Sequence, residues 1–339
     1  MSRNVPRKHH YVPKFYQKGF ADAEGLLWVY DRARKTYHRL PPEVVCCERD
    51  FYSVKPEGAP RDPRIESEYL SRIDAAGATV IRALGTRTTL DGSAIQALAM
   101  FAAHQFTRSP SYRVAISRSY ELSAQQMARL AFLNVDRARQ SLEQLRAETG
   151  HDTSVTPESM VEAVQQNQIV ISATERPFLE QMVEQAANIA RVLEALDWQV
   201  LIAPQTTGFI TCDNPVVLVP PPKYDVARYG VGFATPGAVK YFPLTRHYCL
   251  RLGDFDFGLQ HRKIDGEMVR TINLNVAATS ERFIMGPSCA QLESAVDRSG
   301  SQEVDSESRF LVELVEAGPN GALEKFTIRP KRWFYPKTA

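Results

Sequence analysis

Two adjacent histidines stand in a basic opening segment, Arg7-Lys8-His9-His10-Tyr11-Val12-Pro13. Histidine has the unperturbed pKa best suited to proton transfer at neutral pH, and neighbouring cations favour its neutral, proton-accepting form. Before Asp22 the chain carries Arg3, Arg7, Lys8, Lys14 and Lys18 and no acid, so this arm has local affinity for phosphate. His9 and His10 are therefore the candidate acid/base groups. The same residues also have a plain structural use: Pro13 starts a short helix, Phe15 and Phe20 pack, and one histidine bonds a carbonyl.

Two further groups could serve such chemistry. On a helical wheel Phe101, Gln105 and Arg108 fall within about 60° of one another, beside the apolar stripe of their helix. Gln105 and Arg108 can then point into one cleft at the edge of the core, with Arg113 following just past a helix junction. Forked arginine donors suit phosphate or carboxylate, although a solvated helix flank explains them equally. The third group is Thr211-Cys212-Asp213-Asn214-Pro215, after the apolar run Gly208–Ile210. Asp213 and Asn214 at a strand end can anchor a ligand, or simply close a turn before Pro215. The expectation is that His9/His10, Gln105/Arg108 and Asp213/Asn214 meet in space.

Metal chemistry is not expected. Cys46 and Cys47 are adjacent, no C-x-x-C or H-x-x-x-H occurs, and the acids do not cluster with the cysteines and histidines. No cofactor is expected either: the glycine-rich dinucleotide fingerprint, the phosphate loop and the G-x-S-x-G elbow are missing. The opening resembles the first motif of an HNH nuclease, but that site also needs a nearby Asn, and none occurs between Asn4 and Asn134.

The elements that must position these residues follow from the breakers. From Thr86 to Thr206 there are two Gly and four Pro, whereas from Thr207 onward there are 11 and 10. Few breakers mean long helices and many mean short strands and turns. The chain reads as an α+β protein in three zones of one integrated domain: a basic segment with a β-hairpin (1–60), a helical region (61–197) and a β-rich region (198–339). Leu26–Tyr30 and Tyr37–Leu40 read as the hairpin. Ile65, Tyr69, Ile73, Ala76, Val80 and Leu84 form one helical stripe. Ser93–Arg108 is the next helix, Ser109-Pro110 starts another, and Ser123–Gln126 offers a restart within it. Thr174 caps a further helix. Trp198–Ala203, Gly208–Thr211, Val216–Val219, Lys240–Leu244, Tyr248–Leu252, Leu311–Val315 and Lys325–Ile328 read as strands.

The 339 residues are 44% hydrophobic and 24% charged, with 41 basic against 39 acidic side chains. That excludes wholesale disorder and any overall field that advertises nucleic acid. The polar, basic Met1–Lys8 predicts no secretory signal, and no apolar run approaches the ~18 residues of a membrane span. Five unpatterned cysteines fit a reducing compartment, so a cytoplasmic protein without a membrane partner is expected.

Three segments together resemble the uncharacterised bacterial family known as domain of unknown function 4238. They are Lys8–Phe20 with Leu27-Trp28-Val29-Tyr30-Asp31 behind it, Gln105–Pro110, and Thr211–Val216 followed by Tyr241-Phe242-Pro243-Leu244. The likeness extends from about Lys8 to the strand near Met285. Position 212 is Cys where the family pattern usually has Ser, so a hydroxyl there is not essential. The resemblance implies a grouping without a mechanism, and its bacterial setting is the sole ground for a defence or toxin-like role. On the residues themselves the expected activity is metal-independent phosphoester chemistry on nucleic acid or a nucleotide. His9 or His10 would move the proton, and Gln105, Arg108, Arg113, Asp213 and Asn214 would hold the substrate. The alternative is a non-catalytic binding or regulatory module in which these residues form a structural polar network.

Overall fold

In a computed structural model of the chain, residues 8–53, 64–84, 90–150, 154–166, 168–169, 171–172, 174–255, 260–300, 310–314, 324–328 and 333–336 are described. Lys8–His10 forms β1, and Lys14–Lys18 forms the short helix α1, entered through the extended backbone of Pro13. Leu27–Asp31 (β2) and Thr36–Leu40 (β3) make the expected hairpin, Leu27 opposite Leu40 and Asp31 opposite Thr36. A 3-10 turn at Pro42–Val44 leads to Cys47–Arg49 (β4). This strand pairs antiparallel with β1, which sets His9 opposite Glu48.

The stripe that starts at Ile65 is realised in two windings, a π-helix over Ile65–Leu70 and an α-helix over Ser71–Ala83 (α2). The wider π turn shifts the phase. The buried face becomes Leu70, Gly77, Ala78, Val80, Ile81 and Leu84, while Ala76 is exposed. Gly92–Thr107 (α3) follows, with Asp91 accepting the Ala94 N–H at 2.8 Å as its cap. Pro110–Ala131 (α4) begins as expected, since Ser109 Oγ accepts the Tyr112 N–H at 3.2 Å. It runs unbroken through Ser123–Gln126, where a restart was expected, because no Gly or Pro there turns the backbone out of helical geometry. The break comes instead at Asn134, which caps Val135–Thr149 (α5) by accepting the Arg137 N–H at 3.0 Å. Pro157–Gln165 (α6) and Glu175–Glu194 (α7), which begins directly after Thr174, complete the helical stretch.

The C-terminal part contains Asp197–Ile202 (β5), Thr211–Cys212 (β6), Val217–Val219 (β7), the single turn Val226–Tyr229 (α8), Val239–Pro243 (β8) and Tyr248–Gly253 (β9). Gln260–Lys263 (β10), Gly266–Thr279 (α9), Phe283–Gly286 (β11) and Cys289–Ser299 (α10) follow. Phe310–Leu314 (β12) and Glu324–Ile328 (β13) pair with each other. The two helices are additions to the strands read from the sequence. Both start at ordinary N-caps: Asp265 accepts the Met268 N–H at 2.8 Å and Ser288 the Gln291 N–H at 3.4 Å.

The fold is α+β, as expected. One sheet has the order β10-β5-β9-β8-β7, and its β10–β5 pair is parallel; the other, β3-β2-β11-β6, is antiparallel. The chain divides into two compact units, Met1–Tyr112 with Gln181–Ala339, and Arg113–Glu180. In the first unit the core centres on Tyr16, whose ring lies 5.6 Å from Phe242, 5.2 Å from Phe20 and 6.1 Å from Phe101. Its hydroxyl donates to the Pro243 carbonyl at 2.6 Å and is 2.8 Å from Thr211 Oγ1, so α1, β6 and β8 share one anchor. The second unit is built on α5, α6 and the adjoining parts of α4 and α7, with Leu122, Ala138, Leu142 and Phe178 buried. Among the described residues no helix is long and apolar enough to cross a membrane.

Candidate functional site

Strand alternation sends neighbouring residues to opposite faces, so His9 and His10 of β1 have different surroundings. His9 is buried, its ring stacked on Tyr52 with centroids 5.7 Å apart and planes 10° off parallel. Its Nδ1 accepts the Tyr52 backbone N–H at 3.0 Å. In the neutral ring the proton therefore sits on Nε2, which donates to Glu66 Oε2 at 2.9 Å. His10 is half-buried and donates from Nε2 to the Glu43 carbonyl at 3.2 Å. Burial lowers its pKa and the charges of Lys14 and Lys8 lower it further, against a rise from the Glu43 bond, so the ring is neutral at pH 7.

The last turns of α3 bring His104, Gln105 and Arg108 to the π-helix and α2. Arg108 is 1% exposed. Its guanidinium forks onto Asp74, from Nη2 to Oδ1 at 2.9 Å and from Nη1 to Oδ2 at 3.3 Å. With the Gln105 amide turned so that its oxygen faces the guanidinium, Nε donates to that oxygen at 3.0 Å and Nη2 also donates to it. His104, fully buried, lies 3.0 Å from the Tyr69 hydroxyl through Nε2. Burial drives its pKa down to about 3, with Arg108 adding to the fall, so it is neutral. Burial raises the pKa of the Tyr52 hydroxyl, the Arg108 charge opposes the rise, and Asp74 and Glu66 add to it.

Asp213 leaves the end of β6 and is buried. Its Oδ1 accepts the Glu281 N–H at 2.8 Å, and Oδ2 accepts those of Arg282 at 2.6 Å and Phe283 at 2.9 Å. It thus fastens the entry to β11. Burial lifts its pKa to about 6, Glu281 adds to the rise and the three N–H donors oppose it. Asn214 donates from Nδ2 to Ser111 Oγ at 3.4 Å, and that hydroxyl is 3.0 Å from Ser109 Oγ, next to Arg108 in the chain. Arg113 belongs to the other unit, where its guanidinium lies over the Phe178 ring at 5.8 Å.

The sequence reading did not include Tyr52, Glu66, Asp74 and His104, and it placed Tyr69 only in a helical stripe. A signal existed for one of them. His104 is the single ionisable residue within the largely apolar stretch Leu98–Phe106, whereas Asp74 comes onto the buried face of α2 only through the phase shift of the π winding. Glu66 is 32% exposed and Asp74 24%, so these carboxylates form the solvent-reaching edge of the cluster. Cys46, at a positive φ of 50°, places its thiol 3.8 Å from Met285 Sδ in the core. Among the described residues no three His, Cys, Asp or Glu side chains are grouped to hold a metal ion.

The model of the family described as protein of unknown function, DUF4238, matches residues 8–288. The chain belongs to this family. The matched span runs from β1 to the N-cap of α10 and includes every side chain of the cluster above as well as Asp213 and Asn214. Comparison with curated proteins and with solved structures gives no match.

Proposed function

We propose that this member of the family is a non-catalytic binding or regulatory protein, and that His9, Gln105, Arg108, Asp213 and Asn214 are its internal framework. The observation that carries this reading is the state of Arg108, which is buried and already forked onto Asp74. A phosphate could use this guanidinium only by displacing Asp74 from a two-bond, charge-assisted fork. Both ring nitrogens of His9 are engaged, and both carboxylate oxygens of Asp213 hold backbone N–H groups. Each of these groups is thus already committed to a partner within the protein.

A second reading rests on His10. Its ring is neutral, half-exposed and flanked by Lys8 and Lys14, which suits metal-independent proton transfer on a nucleic acid or nucleotide. One experiment separates the two. Wild type, His10→Ala and Arg108→Ala are incubated with labelled RNA and DNA, with and without chelator, and their unfolding temperatures are measured. The framework reading expects no turnover and a clear loss of stability in Arg108→Ala. Turnover that survives chelation and falls ~100-fold in a fully folded His10→Ala would replace it with the enzyme reading.

A further inference from the structure

Away from these residues, a cavity of about 330 Å³ opens between α9 and α10, beside the chain that leads into β6. Its floor is fixed. Asn273 accepts the Ile210 N–H at 3.0 Å and donates to the Gly208 carbonyl at 2.9 Å, and Gln291 donates to the same carbonyl. Two arginines, Arg270 of α9 and Arg298 of α10, line the walls together with the hydroxyls of Thr206, Thr207 and Ser294. Arg270 and Arg298, both exposed, are the charged residues among the described lining. Arg270 folds back along its helix: a Cβ built on Gly266 would lie 3.5 Å from its Nη1 and 3.6 Å from Thr207 Cγ2. Both Arg270 and Thr207 thus lie beside Gly266, at the start of α9.

From this arrangement we infer a binding site for the phosphate group of a small molecule. Two guanidinium groups lining one concavity raise its local affinity for an anion. Guanidinium forks match phosphate oxygens two at a time, and threonine and serine hydroxyls complete the donor set for an oxyanion. The volume falls at the small end of the range for ligand pockets, enough for a phosphate with a compact organic group. Leu274 and Ala295 offer that group an apolar surface. The site is independent of the framework described above, so either proposal can fail without the other.

Isothermal titration of the full chain with inorganic phosphate and with adenosine monophosphate tests it, at ionic strength matched with sodium chloride. Wild type is expected to bind at least one of the two saturably at millimolar concentration or below. Arg270→Gln and Arg298→Gln should each weaken binding ~10-fold or more and the double variant should abolish it, whereas Arg113→Gln, in the other unit, should leave it unchanged. Circular dichroism confirms that the exposed substitutions leave the fold intact. The absence of saturable heat in wild type, or undiminished binding in the double variant, overturns the assignment.

Discussion

Asp213 and His104 are both buried, and burial moves their proton affinities in opposite directions because one is charged when deprotonated and the other when protonated. Asp213 rises from 3.8 to about 6. The stability it contributes is complete below pH 3.8 and is lost as pH rises through 6. His104 falls from 6.5 to about 3, so its contribution is complete above pH 6.5 and is lost as pH falls toward 3. Between pH 4 and 6 the two slopes oppose each other in the wild type, and Asp213→Asn removes one of them. Relative to that variant, wild type should lose about 2 kcal/mol between pH 4 and pH 6, most of what a shift of roughly two pKa units is worth. Urea unfolding of both proteins at pH 4, 5 and 6 measures this. Parallel curves, or a slope of the other sign, would mean that the three N–H donors outweigh desolvation and hold the carboxylate ionised.

At the scale of elements, the packing of α2 on α3 turns on Gly77. A Cβ there would lie 2.7 Å from Phe101 Cγ, and Phe101 is itself held by Phe15, Tyr16 and Phe242. Alanine is intrinsically better than glycine in a helix by about 1 kcal/mol, but overpacking a filled core costs about 1–3 kcal/mol. The clash should win: Gly77→Ala lowers the unfolding temperature, and adding Phe101→Leu restores part of it. Equal or higher stability in the single variant would show that α2 can move. The same helix marks the limit of sequence reading. Its apolar stripe was legible, yet the π winding that rotates it was not, because an inserted turn leaves no trace in residue spacing that an ordinary α-helix could not also produce. The β2–β3 hairpin and the late strands β12 and β13 were legible because their signals are local, although the pairing of β12 with β13 was not read. The pairing of β6 with β11 and of β1 with β4 depends on distant partners. For the candidate site, His9, Gln105, Arg108 and Asp213 could be picked out by type, whereas Glu66 and Asp74, which determine what His9 and Arg108 are able to do, come from another segment, 34 residues from Arg108 in the case of Asp74.

At the scale of the whole molecule, the near balance of 41 basic and 39 acidic side chains leaves anion affinity to local groups such as Arg270 and Arg298. The first unit is assembled from both ends of the chain. Its β2 has β3 along one edge from the start, but the other edge belongs to β11, and the Asp31–Arg282 ion pair at this junction joins residues 251 apart in the chain. At about 5–20 residues per second, translation would take roughly 13–50 s to supply the missing strand. Throughout that interval Leu27 and Val29, which end fully buried, belong to a sheet open along one side. Nascent chains fused to an arrest peptide should develop pulling force for this unit only after Gly286 has cleared the ribosome; force at shorter lengths would show that the unit closes without β11. Synthesis thus imposes a waiting period on this fold, during which a hairpin that looks self-sufficient in the finished protein is a client for whatever guards exposed strand edges in the cell.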